Sequence, residues 1–564
     1  IRQQVLAWID DDPDPVTAAE LSGLLGQSVS SPEAAGEIED RFADRLHFGT
    51  AGLRGAVAAG PNRMNVAVVR RTTAALAAWL LDREPAVREA GVALGCDARH
   101  GSAAFYDEVA RVLSGAGILV HALPPQQPTP LLAFAVRHLD CAAGVMITAS
   151  HNPPADNGYK LYGHDGAQIV PPTDAEIEAL MGSIDRLAAV ATGDLYGPLV
   201  VRHGDEIAEA YLRALAAVSP APPGGDTLQV VYTPMHGVAG SMFGRALALA
   251  GFGVPVVVPA QAAPDPDFPT VSFPNPEEAG ALDLAFAEAR RVRADVVIAN
   301  DPDGDRLAVA VPDPSVDGGW LQLTGDQLGC LIGSYVLERD SRPDGRLRPL
   351  VVTTIVSSTL LADIAAAAGA SFDETLTGFK WIVRGGGNAE ARFVFGYEEA
   401  LGYAVGTVVR DKDGLGAALA FLGLLATERA SGRSVLDRLD DLETSHGVHL
   451  TAQTSIRTDD TGTTMSRLRA AAADGSPRTW GGSAVLEIRD LSAGSERLPA
   501  SDVLVYRLDG GRVVVRPSGT EPKLKAYFEI VEQLGGAGLG AARIRASARM
   551  SLLRAEVDSV LGSP

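Results

Sequence analysis

Short runs rich in valine and isoleucine recur along the chain, and each breaks off into a loop of Gly, Pro, Ser, Asp or Arg. Examples are GVALGCD from Gly91, GVMITAS from Gly144, LQVVYTP from Leu228, DVVIAND from Asp295 and PLVVTTIV from Pro349. Longer Ala/Leu segments of helical period lie between them, such as VVRRTTAALAAWLLD and SMFGRALALAGFG. Strand-like runs alternating with helix-like runs define βαβ units and parallel sheets. Strands apolar throughout fit sheets covered on both faces. Near Ser445 the pattern changes to strand-like pieces with fewer long helices: SAVLEIRD, VLVYRL and GRVVVRPSG. A smaller, more antiparallel α+β domain is expected there.

The chain has 564 residues, and at about 150 residues per domain the prior is roughly four domains. SPAPPGGD (residues 219–226) reads as a linker, and VPDPSVDGG (residues 311–319) as a second linker or a hairpin. The expected domains are therefore 1–220, 221–320, 321–445 and 446–564. The first forty-odd residues read as helices packed on the first domain.

Charge excludes some functions. Lys plus Arg total 48 and Asp plus Glu 70, a net charge of -22. Nucleic-acid binders need a basic footprint, and anionic membranes attract basic surfaces. The reading is no nucleic acid and no membrane; an anionic substrate requires cations gathered locally. The three cysteines, Cys96, Cys141 and Cys330, are far apart and in no metal spacing, which fits a reducing compartment. The start, IRQQVLAWIDDDPDP, has no basic leader region, and the longest apolar run, residues 415–426, is too short to span a bilayer. The expectation is a cytoplasmic protein.

In open α/β sheets, ligands bind outside the carboxyl ends of the strands, so the loops there carry the chemistry. GTAGLRG (residues 49–55) offers glycines for close backbone approach and Arg54 to fork onto a phosphate, or is a flexible turn. In TASHNPPADNGYKLY (residues 148–162), Ser150 stands at a strand end beside His151, with Lys160 ten residues on. That serine is either a turn residue or a group held out by a rigid turn.

NDPDGDR (residues 300–306) alternates Asp301, Asp303 and Asp305, with Arg306 adjacent. Two carboxylates 4 Å apart repel by about 4 kcal/mol at an effective dielectric near 20. They converge only around a cation, and an all-oxygen donor set suits Mg²⁺; otherwise they splay as a solvated turn. The frame is not an EF-hand, since its sixth position is Arg306 and its twelfth Pro312. TLTGFKW (residues 375–381) supplies Thr377, Gly378 and Lys380 as candidate substrate contacts. GYEEALGY (residues 396–403) supplies Glu398 and Glu399 as acceptors for sugar hydroxyls, or is an acidic helix start. RPSGTEPKLK (residues 516–525) gathers Arg516, Ser518, Gly519, Thr520 and Lys525 as donors for a terminal phosphate, or is a polar hairpin turn; it lacks the Walker A order. Together the loops equip a protein to move a phosphoryl group on a sugar phosphate. Aromatic content of 5% leaves little for base stacking.

In TASHNPP, DPDGDR and RPSGTEP, taken in that order, the chain resembles the α-D-phosphohexomutase family (phosphoglucomutase/phosphomannomutase) from about residue 45 to about 530. Its length, acidic N-terminal extension, TLTGFKW and EEALGY are most similar to the phosphoglucomutase-2-type branch. The resemblance implies three similar α/β domains and a smaller TBP-like fourth, in a heart shape with a central cleft. It implies a phosphoserine at Ser150, which donates to a sugar phosphate and is restored from a bisphosphorylated sugar; that bisphosphate is the activator. It also implies Mg²⁺ on Asp301, Asp303, Asp305 and the Ser150 phosphate, with Lys160 or His151 as general acid/base. Arg54 and Arg306 would add positive charge, Glu398 would bind sugar hydroxyls, and residues 516–520 would hold the non-reacting phosphate. Ala400 stands where many relatives have Ser, and no His follows in residues 403–409, which leaves the sugar open. The expected activity interconverts hexose 1-phosphate and 6-phosphate, of glucose or mannose. The alternatives are a phosphopentomutase and a non-catalytic sugar-phosphate-binding protein. The expected partner is a small-molecule sugar phosphate, bound by a monomer or homodimer.

Overall fold

The apolar runs become strands where expected. A computed structural model describes residues 1–49, 52–83, 86–340, 347–386, 391–458, 460–518 and 523–562. Two compact units emerge, one of residues 1–322 with 407–419, the other of 323–406 with 420–564. No described helix is long and apolar enough to cross a membrane.

The first unit holds two sheets. The larger runs, in spatial order, Leu53–Ala56, Asp156–Gly163, Ala143–Ile147, Val92–Cys96, Val120–Ala122 and Val200–Arg202. Its last four strands are parallel, while Asp156–Gly163 is antiparallel to both neighbours. Val92–Cys96 and Ala143–Ile147 are buried throughout, as strands covered on both faces must be. Helices Val66–Arg83 and Ser102–Gly115 supply Val69, Leu76, Leu80, Phe105, Val109 and Leu113 to their core. The second sheet runs Trp320–Gln322, Ala308–Pro312, Val296–Ala299, Val230–Thr233 and Val256–Val257. The stretch 311–319 is the connection of an antiparallel hairpin, not a linker. The N-terminal segment forms three helices, Arg2–Asp11, Pro15–Gln27 and Pro32–Ala43, around Val5, Leu21, Leu25 and Ile38. Asp14 and Ser31 cap the second and third, and Ala59 joins the core, as expected of helices packed on the first domain.

The second unit also holds two sheets. One runs Ser371–Thr375, Arg348–Thr354, Ala391–Glu398 and Gly402–Val405, with only the last pair antiparallel. The other is wholly antiparallel: Val448–Arg457, Lys523–Glu532, Gly511–Pro517, Leu504–Leu508, Ser483–Asp490 and Thr479–Trp480. Helix Gly538–Gly562 covers this sheet with Ala542, Ala546, Met550, Leu553, Val557 and Leu561, a three-to-four-residue spacing that keeps one face inward. This is the α+β domain expected beyond Ser445.

Candidate active site

Strand Ala143–Ile147 delivers Ser150 into the interior, where it is 2% exposed. Its φ of 54° places a non-glycine residue in the left-handed region. The Thr148 hydroxyl accepts the Ser150 N–H at 2.9 Å. Ser150 Oγ donates to Asp301 Oδ2 at 2.7 Å and lies 3.2 Å from His151 Nδ1. Burial, then the charges of Arg306 and Arg54, push His151 well below the usual histidine range, so its ring is neutral at pH 7.

The chain returns as strand Asp156–Gly163, in which Lys160 pairs with Met146. Lys160 is 1% exposed and donates to Asp303 Oδ2 at 2.6 Å and Asp305 Oδ2 at 3.0 Å. Burial alone lowers a lysine, but the two carboxylates outweigh it and hold Lys160 protonated. Sequence reading did not recognise this strand, because Asp156, Asn157 and Lys160 obscure its apolar pattern.

The three aspartates sit between strands Val296–Ala299 and Ala308–Pro312, all with 0% exposure. Gly304 turns the loop at φ 71°. Asp301 Oδ1 accepts the Arg306 N–H at 3.0 Å, and Asp303 Oδ2 also accepts the Thr129 hydroxyl at 2.6 Å. Burial, then the charges of Asp303 and Asp305, lift the Asp301 carboxyl far above the carboxylate range. Burial opposes ionisation of Asp303 too, but Lys160 overrides it and holds Asp303 below that range. One oxygen from each of the three lies within 4.8 Å of the others. Asp303 Oδ1 and Asp305 Oδ1 are buried with no hydrogen-bond partner. Unpartnered carboxylate oxygens of this kind are costly unless a cation completes them. The donor set therefore fits a hard divalent ion such as Mg²⁺.

Arg54, on strand Leu53–Ala56, pairs with Gly158 and donates from Nη1 to Asn152 Oδ1 at 2.9 Å. A β-carbon at Gly158 would stand 3.0 Å from Arg54 Cγ and 2.7 Å from Thr148 O, so glycine there admits the arginine stem beside the serine loop. Gly52, expected to let the backbone approach a ligand, instead approaches Tyr159: its β-carbon would lie 2.3 Å from Tyr159 O. Arg306 is 3.4 Å from Glu277 Oε2. Two cations escaped sequence reading. Lys412 Nζ lies 3.2 Å from Asp305 Oδ2, and Arg99 underlies the serine loop. Both follow strand-like runs in charged loops, RDKDG and CDARHG, the same signal that exposed the other sites.

In the second unit, Gly378 (φ 109°) donates its N–H to Glu398 Oε1 at 3.0 Å, beside half-buried Thr377 and buried Lys380. Glu398 ends strand Ala391–Glu398, and Glu399, Ala400 and Leu401 form the hairpin turn, so the pair is not a helix start. Glu399 accepts from Ser357 Oγ at 3.1 Å and Thr354 Oγ1 at 3.3 Å. Burial, then the charges of Glu398 and Asp326, raise its pKa far above the carboxylate range. Arg516 and Lys525 face each other across an antiparallel pair, and Ser518 N donates to Lys523 O at 2.8 Å. Arg516 Nη1 lies 3.3 Å from the hydroxyl of Tyr527, whose pKa burial raises, with the charge of Glu399 adding to the rise. Gly519 and Thr520 lie outside the described residues.

An α/β scaffold that sets a serine hydroxyl against a buried triad of carboxylates, with lysine and arginine around them, has the parts of a phosphoryl-transfer enzyme. Comparison with known proteins gives the family. Residues 45–188, 209–318 and 324–445 match domains I, II and III of the phosphoglucomutase/phosphomannomutase alpha/beta/alpha family, and residues 464–546 match its C-terminal domain. A probable phosphomannomutase of Haemophilus influenzae is 41% identical, over 83% of this chain and 93% of its own. A probable phosphoribomutase of Schizosaccharomyces pombe is 35% identical, over 94% and 93%. The crystal structure of a putative phosphomannomutase from Thermus thermophilus shares the fold, with a TM-score of 0.68 at 23% identity over 92% of this chain and 100% of that one. The chain belongs to the phosphoglucomutase/phosphomannomutase family. It is a phosphomutase, an isomerase that works by phosphoryl transfer.

Proposed function

We propose that this enzyme interconverts hexose 1-phosphate and hexose 6-phosphate through a phosphoserine at Ser150 and a bisphosphorylated sugar that also serves as activator. The observation that carries the reading is the approach of Ser150 Oγ to the aspartate triad, 2.7 Å from Asp301, with Asp303 Oδ1 and Asp305 Oδ1 left open. A sugar hydroxyl attacks the phosphorus, the P–Oγ bond breaks, and the phosphoryl group passes to the sugar. In the return step Ser150 Oγ attacks the other phosphate of the bisphosphate. The proton leaving each attacking oxygen goes to a nearby base and a proton returns to each leaving oxygen. Lys160 and His151, both in contact with the serine or its carboxylates, are the groups placed for that exchange. Asp301, Asp303 and Asp305, beside the Ser150 phosphate, would hold Mg²⁺, which would supply charge neutralisation. Arg54 and Arg306 add fixed positive charge in a buried site. Thr377, Gly378, Lys380, Glu398 and Ala400 face the sugar, and Arg516, Ser518, Gly519, Thr520 and Lys525 hold the phosphate that is not reacting.

On this reading the domains divide near residues 220, 320 and 445, and the protein works as a monomer or homodimer. Its three free thiols, all buried, favour a reducing cytoplasmic setting. A pentose phosphate is the second reading. It rests on Ala400 and on the name of the Schizosaccharomyces pombe relative. The test is kcat/KM for glucose 1-phosphate, mannose 1-phosphate and ribose 1-phosphate, with Mg²⁺ and the matching bisphosphate. A hexose preference of tenfold or more is the expected outcome, about 1.4 kcal/mol of discrimination. A ribose preference would replace the first reading with the second.

A further inference from the structure

Arg99 takes no part in the chemistry above, yet both terminal nitrogens of its guanidinium are turned on the serine loop. It follows strand Val92–Cys96 and is 4% exposed. Nη2 donates to Ser150 O and to Asn152 O, each at 2.6 Å. Nη1 donates to Pro153 O at 2.7 Å and to Asp156 O at 3.1 Å. Asp97 anchors the arginine from behind: its Oδ1 accepts Arg99 N at 3.0 Å and Ser102 Oγ at 2.6 Å, and its Oδ2 stands 3.5 Å from Arg99 Nε. The Phe268 ring lies 4.9 Å from the guanidinium carbon. Carbonyls from both limbs of the loop thus converge on one planar cation.

Two facts give this weight. Ser150 holds a left-handed backbone, and a non-glycine residue stays there only where its surroundings over-determine it. Buried carbonyls turned away from water need donors, and a lysine offers three from one point where arginine offers five across a fork. A single ammonium cannot span the carbonyls of Ser150 and Asp156 as the guanidinium does.

We propose that Arg99 is a positioning residue for phosphoryl transfer. It fixes the loop carbonyls and so keeps Ser150 Oγ in line with Asp301. The inference rests on the reading that Ser150 carries the phosphoryl group. Arg99 contacts backbone rather than any open surface, so its loss should act on kcat and spare KM.

The test compares Arg99→Lys and Arg99→Ala with wild type and Ser150→Ala. Each is assayed for kcat and KM on its best sugar phosphate, for circular dichroism, and for ³¹P resonance after incubation with glucose 1,6-bisphosphate and Mg²⁺. A misplacement of about 1 Å costs about 10²-fold in rate, so folded Arg99→Ala should lose about that in kcat with KM within about threefold. Arg99→Lys should fall between it and wild type. The phosphoserine resonance should form in both but shift and broaden, and added guanidinium should recover part of the Arg99→Ala rate. Folded variants with kcat within twofold of wild type would overturn the inference. So would a rise in KM matching the fall in kcat, or the failure of both variants to fold, since Arg99 would then be a folding element alone. A wild-type enzyme that turns over without phosphoserine defeats the Ser150 reading itself, which separates that failure from this one.

Discussion

A lysine with 1% exposure stays charged inside a protein only if carboxylates hold it, and Lys160 rests on Asp303 and Asp305. The pairing is reciprocal, since three buried carboxylates need positive charge when no divalent ion is bound. Lys160→Met should therefore cost about 3–5 kcal/mol of stability, the usual penalty for stranding one side of a buried pair. Its kcat should fall by about 10²–10⁴-fold if the amine moves a proton. Thermal unfolding with and without Mg²⁺ checks the first part: the variant should recover more of its Tm on adding Mg²⁺ than wild type does. An unchanged Tm without Mg²⁺ would show that the ion pairs contribute little. Asp413 is another buried carboxyl, accepting from Tyr211 Oη at 2.8 Å and from the N–H groups of Leu415 and Gly416. Burial raises its pKa to about 6. A carboxyl that holds its proton more tightly when folded adds stability that is complete below about pH 4 and is lost as pH rises through about 6. The span is worth about 3 kcal/mol. Asp413→Asn should remove that slope from urea-unfolding curves measured between pH 4 and pH 7, and an unaltered slope would assign it elsewhere.

At the level of elements, one device recurs. A strand runs out, a polar loop turns, and an antiparallel strand returns: Ala143–Ile147 to Asp156–Gly163, Val296–Ala299 to Ala308–Pro312, Ala391–Glu398 to Gly402–Val405. The loops between carry Ser150, the aspartate triad and Glu399, with Glu398 at the end of its strand. Each hairpin fixes its loop at both ends, which is what a site needing accuracy of fractions of an ångström requires. Neighbouring loops brace it further. Gly237, in the loop after strand Val230–Thr233, lies so close to Pro302 that a β-carbon would sit 2.4 Å from both its Cα and its O. Gly237→Ala should strain the packing by about 1–3 kcal/mol. It should also weaken Mg²⁺ activation by about tenfold or more, as loss of outer support at metal sites does. Titration of activity against Mg²⁺ reads this, and an unchanged midpoint would show that the brace does not reach the aspartates. Ala143–Ile147 and Val296–Ala299 were legible because they are apolar from end to end, and the loops because Gly, Pro and Asp punctuate them; Ala391–Glu398, with Arg392 and Glu398 at its ends, was not. The returning strand Asp156–Gly163 was not: its lysine is tolerated only because carboxylates 143 and 145 residues away neutralise it. Arg99 and Lys412 lie in loops that carry the same signal as the other sites, but long-range partners decide which basic residue in them matters: Ser150 and Asp156 for Arg99, Asp305 for Lys412.

The whole molecule sets a net charge of -22 against an anionic substrate class. The conflict is resolved locally. Arg54, Lys160, Arg306 and Lys412 gather in the first unit, and Arg516 and Lys525 face each other in the second. Four family domains along one chain distribute the parts: serine on the first, aspartates on the second, glutamates on the third and the arginine hairpin on the last. Family membership establishes phosphoryl transfer within a sugar phosphate. The claim particular to this chain is that the group passes through Ser150. Mass spectrometry of the enzyme tests it most directly, after incubation with glucose 1,6-bisphosphate and Mg²⁺ and again after a rapid chase with glucose 1-phosphate. The account predicts one phosphoryl group, mapped to Ser150, that leaves on the chase at a rate no slower than kcat, and neither phosphorylation nor turnover in Ser150→Ala. Turnover by an enzyme whose Ser150 stays unmodified, or by Ser150→Ala, would contradict it.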